Sequence, residues 1–293
     1  MKKITLLLVI LIIQVNLFAQ KADRQNFFQV EIKGNSDGEP VILIPGLACS
    51  GQVWKETVDI LQKDFQCHIL TLAGFAQQKP MPLENGFLPV IQANITDYIK
   101  NELKTKPIII GHSLGGFMAL SIASSSPDLV KQIVIVDSYP FYSAMMMPTA
   151  TEETAKPQAE MMKKMMLSAP DSLREKQQQM TMASMITAED KIPIATKWSL
   201  QSDQATVAQA MYELMTTDLR EEVETVKCPI LVFGSWYAAK DYGITKESVE
   251  KNYQDQFAKA ADCTIKVADT AKHFVMWDEP EWFQNNLNDF IKK

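Results

Sequence analysis

Apolar positions follow two rhythms along this chain. Short apolar blocks bounded by turn residues read as strands, over 27–33, 41–45, 67–72, 107–110, 131–137, 229–234 and 264–268. The turn Gly34-Asn35-Ser36-Asp37-Gly38 separates the first two. Between later blocks the spacing is helical. Val90, Ile91, Ile95, Tyr98, Ile99 and Leu103 fall on one helix face, and 115–125, 246–258 and 279–291 also read as helices. Strand and helix alternate at the pace of βα units. This predicts an α/β fold with a doubly wound, mainly parallel sheet.

The pattern changes over 141–218. Almost no strand signal remains, and Met, Gln, Ala and Thr dominate, with Met145, Met146, Met147, Met161, Met162, Met165, Met166, Met180, Met182 and Met185 among them. The stretch reads as a helical cap inserted over the carboxyl edge of the sheet, leaving 20–140 and 219–293 as the core. Unbranched thioether side chains adapt to irregular apolar shapes. Two readings stand side by side: methionines lining an apolar pocket, or methionines forming the cap's own core.

Lys2 and Lys3 precede the apolar run Ile4–Ile13, and Leu17-Phe18-Ala19-Gln20 follows. A basic start, a hydrophobic stretch and a small residue near its end describe a signal peptide over 1–19, cut after Ala19. The run is interrupted at Gln14 and Asn16, short of the ~20 apolar residues of a membrane span. The expectation is export to a periplasmic or extracellular compartment, with no stable membrane anchor. Net charge is −6, with no Lys/Arg cluster interleaved with aromatics, which argues against a nucleic-acid partner. Cys49, Cys67, Cys228 and Cys263 are spaced unlike a zinc site. Cys228 and Cys263 precede strands that could be neighbours, so a bridge between them and free buried thiols are both open.

One segment concentrates chemistry. Ile108-Ile109-Ile110 runs into Gly111-His112-Ser113-Leu114-Gly115-Gly116, a strand entering a Gly-x-Ser-x-Gly turn with a helix behind it. The turn must lift the Ser113 hydroxyl clear of the sheet, and side chains at 111 and 115 would collide with neighbouring elements. Ser113 is the candidate nucleophile and needs a base. The chain holds three histidines. His112 sits inside the turn and His68 in an early strand. His273, in the loop between the last strand and the last helix, is the candidate base. For the acid that orients it, Asp241 is expected, in the loop after strand 229–234; Asp137, at the end of strand 131–137, is the rival, with Asp262 and Asp269 behind. An oxyanion would need backbone amides. Leu114, directly after Ser113, and Leu47, in Pro45-Gly46-Leu47-Ala48, are the candidates. There is no His-Glu-x-x-His, no paired Cys-x-x-Cys, no phosphate loop and no Gly-x-Gly-x-x-Gly after a strand, so neither metal nor organic cofactor is expected.

From Ile44-Pro45-Gly46-Leu47 through Gly74-Phe75, the 111–116 turn, Ile133–Asp137 and Pro229–Gly234 to His273–Pro280 and Glu281-Trp282-Phe283, the chain resembles the α/β-hydrolase superfamily. Pro45 stands where that family often has a histidine, which changes a side chain and leaves the Leu47 amide in place. The resemblance implies a serine hydrolase working through an acyl-enzyme on a small-molecule ester-like substrate, most simply a carboxylesterase. A cofactor-free haloperoxidase or perhydrolase would use the same residues. A catalytically silent ligand-binding protein on the same scaffold is the reading from another class.

Overall fold

The computed structural model describes residues 26–168 and 170–292. The expected leader, residues 1–19, lies outside them. Seven strands form one sheet: β1 (Phe28–Gly34), β2 (Glu39–Ile44), β3 (Phe65–Leu72), β4 (Ile108–His112), β5 (Gln132–Val136), β6 (Ile230–Gly234) and β7 (Cys263–Val267), in the order β1-β3-β2-β4-β5-β6-β7. Among the described residues only β1 runs antiparallel, against β3; the other pairs are parallel.

Helices cover both faces: α1 (Lys55–Leu61), α2 (Leu88–Glu102), α3 (Leu114–Ser125), α9 (Lys246–Gln256), the short α10 (Val275–Asp278) and α11 (Pro280–Ile291). Burial on two faces explains why β4 and β5 read as unbroken apolar runs rather than alternating ones. Ile108, Ile109, Ile110, Val134 and Val136 are all fully buried, each contributing roughly 1.5–3 kcal/mol of transfer free energy. Helix α3 is buried all round, from Leu114 to Ser124, because it lies between the sheet and α2.

From 141 to 218 there is no strand among the described residues. Here lie α4 (Tyr142–Met146), α5 (Glu152–Ser168), α6 (Asp171–Met185), α7 (Ile192–Leu200) and α8 (Gln204–Thr216). Helix α5 packs on α8 and α6 on α7. The Glu213 carboxylate of α8 accepts from the amides of Phe87 (2.9 Å) and Leu88 (2.6 Å), capping α2 from the insertion. The methionines fit neither expected role as a group. Met146, Met147, Met161, Met165 and Met180 are exposed, and Met182 alone of the ten is buried in the core. Helices α5 and α6 each pack one face inward, and Met161, Met165 and Met180 fall on the other, while Met146 and Met147 end the short α4.

The glycines of the serine turn are required by space. A Cβ at Gly111 would stand 2.0 Å from the Gly115 carbonyl oxygen, and one at Gly115 would stand 2.3 Å from that of Ile44. Both collisions are with backbone, which cannot step aside without moving β2 or α3. Gly111→Ala should therefore lower stability by at least about 1–3 kcal/mol, seen as an earlier urea midpoint; an unchanged midpoint would contradict this packing.

Cys228 and Cys263 are free thiols, as are Cys49 and Cys67. Burial pushes Cys49, Cys67 and Cys263 up to about 12, with the Asp262 charge adding to Cys263, and burial pushes Cys228 to about 11. The reactive thiolate is thus scarce at pH 8. Alkylation by iodoacetamide should be slow at all four cysteines in the native protein and fast after denaturation; rapid native labelling would refute it.

Candidate active site

Ser113 stands where β4 turns into α3, with φ 53° and ψ −121°. Few L-residues adopt such a backbone. Its amide donates to Val136 O at 2.8 Å, and its carbonyl accepts from Gly116 N (2.8 Å) and Phe117 N (3.1 Å). The backbone at the corner is thus held from both sides, and the side chain leaves the sheet. One strand over, the device repeats. Asp137 follows β5 with φ 49°, a sign of φ that aspartate tolerates better than most residues. Its amide donates to Phe233 O at 2.7 Å. Ser113 and Asp137 thus stand at the carboxyl ends of adjacent parallel strands, the edge at which open α/β sheets bind ligands.

His273 arrives on the loop from β7 to α10. Its Nδ1 donates to Asp137 Oδ2 at 2.6 Å, and its ring lies against that of His112, centroids 4.6 Å apart. His112 in turn donates from Nε2 to the His273 carbonyl oxygen at 3.0 Å. A carbonyl only accepts, so the His112 proton is on Nε2. Burial, then the neighbouring His273, hold His112 well below the usual histidine range. His112 is therefore a neutral strut between the serine turn and the His273 loop. With its proton on Nδ1 toward Asp137, His273 keeps Nε2 as the basic nitrogen, able to take a proton from a hydroxyl.

The sequence expectation placed Asp241 against His273; the structure gives that contact to Asp137. The reason is the path of the chain after β6. Ser235, immediately beyond the strand, turns its amide and hydroxyl to Asp137 at 2.8 and 2.9 Å. The chain then winds into a 3-10 turn, Tyr237–Tyr242, which leaves Asp241 exposed. Asp269 pairs with Lys246 at 2.6 Å with its side chain 80% exposed, and Asp262 is exposed as well.

Leu47 lies in the turn after β2, and Leu114 is the first residue of α3. Among the described residues neither amide donates to a backbone or side-chain acceptor. The turn reaches the serine: a Cβ on Gly46 would stand 3.2 Å from Ser113 Cβ. Ala48, with φ 58°, bends this loop, and its carbonyl accepts from Ser202 Oγ at 3.3 Å, a tie from the helical insertion. The amide of Leu114 also sits at the positive end of the α3 dipole. Both candidate amides thus stand on segments that meet at Ser113.

Sequence reasoning missed three supporting residues. Ser235 and Tyr253 donate to Asp137. Asp278 accepts from Lys272 N (2.9 Å), Thr187 N (2.8 Å) and Ala188 N (3.0 Å), joining the His273 loop to the helical insertion. Tyr253 falls in the segment read as a helix and Asp278 in the piece 273–280, but neither position says which group its side chain meets, and Ser235 lies just past a strand with no signal of its own. No group of three or more His, Cys, Asp or Glu is arranged to hold a metal ion among the described residues. Nor is any helix there long and apolar enough to cross a membrane.

Comparison with known proteins adds to this geometry. A pimeloyl-[acyl-carrier protein] methyl ester esterase of Vibrio campbellii is 31% identical over 107 residues, 36% of this chain and 40% of the relative. The chain thus matches about two-fifths of the length of that curated relative. Among solved structures, an esterase from Exiguobacterium antarcticum superposes with a TM-score of 0.74 at 16% identity, covering 91% of this chain and 96% of the other. A bromoperoxidase from Bacillus anthracis does so at 0.72 and 16%, over 91% and 95%. At such identities these structures speak to the fold alone. A family model described as the alpha/beta hydrolase fold matches residues 39–280. That span takes in β2 to β7 and the loop of His273, and the chain belongs to the alpha/beta hydrolase fold family.

Proposed function

We propose that this protein is an exported serine hydrolase, a carboxylesterase that works through an acyl-enzyme on small to medium apolar esters. The observation that carries the reading is the 2.6 Å contact from His273 Nδ1 to Asp137 Oδ2, beside the strained corner at Ser113. Ser113 Oγ attacks the ester carbonyl while His273 Nε2 takes its proton. The amides of Leu47 and Leu114 hold the oxyanion. His273 then gives the proton to the departing alcohol, and the acyl group stays on Ser113. Water attacks the acyl-enzyme in the same way, with His273 again the base, and releases the acid. Asp137 fixes the imidazole tautomer and stabilises the imidazolium.

Supporting an apolar acyl group, half-buried Leu47 and Trp236 stand on the loops that border Ser113 and Asp137. The leader-like pattern of residues 1–19 supports export. A purely ligand-binding role would leave the oriented serine, histidine and carboxylate without a task.

A panel of p-nitrophenyl esters of graded chain length tests the reading. Hydrolysis with a preference for uncharged acyl chains is expected, and a sharp preference for charged or sugar esters would refute the apolar assignment. On the preferred ester, Asp137→Asn should lower kcat by about 10³–10⁴-fold. Asp241→Asn, at an exposed site, should stay within about twofold. The reverse order would move the acid's role to Asp241.

A further inference from the structure

A carboxylate offers about four acceptor sites, and Asp137 fills them from three different segments. Oδ1 accepts from Ser235 N at 2.8 Å and from the Tyr253 hydroxyl at 2.9 Å. Oδ2 accepts from Ser235 Oγ at 2.9 Å and from His273 Nδ1 at 2.6 Å. We propose that Tyr253 and Ser235 are positioning residues for the reaction, which hold the Asp137 carboxylate in the plane and charge distribution that orient His273.

Tyr253 reaches Asp137 by a built path. It sits on α9 and is fully buried. Its ring crosses the end of β6 so closely that a Cβ on Gly234 would stand 2.4 Å from Tyr253 Cε2 and 3.1 Å from Cζ. Gly234 has no positive φ, so this glycine is there for space: any side chain would displace the phenol. On its other face Tyr139 stacks at 4.0 Å and 9° between planes. Tyr139 lies two residues beyond Asp137, so the stacking also steadies the kinked end of β5. Burial first, then the Asp137 charge, push the Tyr253 hydroxyl well above the ordinary tyrosine range. The phenol keeps its proton and stays a donor at any working pH. The titratable groups facing the Asp137–His273 pair are thus Tyr139, Tyr253 and His112, all neutral.

A buried phenol needs some acceptor, and a structural role would end there. A positioning role predicts more. Donors to a carboxylate spread its negative charge; removing one concentrates that charge on the imidazolium and favours it. Activity needs the neutral imidazole, so its acid limb then moves to higher pH. The inference rests on the assignment of Asp137 and His273 as an oriented pair, and part of its test needs no substrate.

Tyr253→Phe and Ser235→Ala are compared with the full-length protein. Each should lower kcat on the preferred ester by about tenfold with KM unchanged. Each should also raise the acid limb of the kcat/KM profile by about half a pH unit. The Nδ1 proton resonance of His273 should shift in the resting protein, and Ser235→Thr, which keeps a hydroxyl, should restore wild-type behaviour. Lower thermal stability with kcat, acid limb and resonance all unchanged would reduce both residues to packing and overturn the inference. If the wild type hydrolyses no ester, the proposed function fails, while the resonance still decides this question: a shift supports it, and no shift overturns it.

Discussion

The backbone at Ser113 is bent into a conformation that L-residues avoid, and the surrounding structure holds it there. Such strain costs on the order of 1–3 kcal/mol and persists only when neighbouring contacts over-determine it. Here the contacts are the hydrogen bond from the Ser113 amide to β5, the closing of α3 on the serine carbonyl, and the glycine clearances that let α3 approach β2. The corner sets where the hydroxyl stands and where the first amides of α3 point. Because β5 also ends at a residue of positive φ, Asp137, two adjacent strands release a hydroxyl and a carboxylate on the same edge of the sheet.

The third participant comes from far along the chain and is pinned rather than strained. His112 holds the His273 carbonyl and Asp137 holds its imidazole. Asp278 ties the preceding residue, Lys272, to the helical insertion, and the Lys272 ammonium donates to the Ala183 carbonyl at 2.8 Å. Glu213 and Ser202 fasten the insertion to α2 and to the loop of Leu47. Movement of the insertion would therefore be felt both at the His273 loop and at the loop of Leu47.

Much of this was legible in the sequence. The apolar runs at 107–110, 131–137 and 229–234 place β4, β5 and β6 within a residue or two, because strands buried on both faces cannot afford polar interruptions. The serine turn is legible because its glycines answer to backbone collisions that no other residue survives. Helix α1 was not anticipated: Lys55–Leu61 is short and follows a 3-10 turn, so it offers too few positions for a period to show. The carboxylate partner of His273 was misplaced because chain order admits Asp137 and Asp241 equally, and only the path after Gly234 separates them. That path depends on Ser235 turning back to Asp137, a contact across 98 residues of sequence. The roles of Tyr253 and Asp278 were not legible for a similar reason, since a residue's place in a helix or a motif does not say which group its side chain meets across the fold.

The central claim is that Ser113 is an activated hydroxyl, made so by His273 and Asp137. Treating the native protein with a fluorophosphonate and mapping the modified peptide by mass spectrometry tests it most directly. A single phosphonyl adduct on Ser113, formed much more slowly in Asp137→Asn and absent in Ser113→Ala, is the result the account predicts. A wild-type protein that takes up no label, or takes it up at another residue, would contradict it.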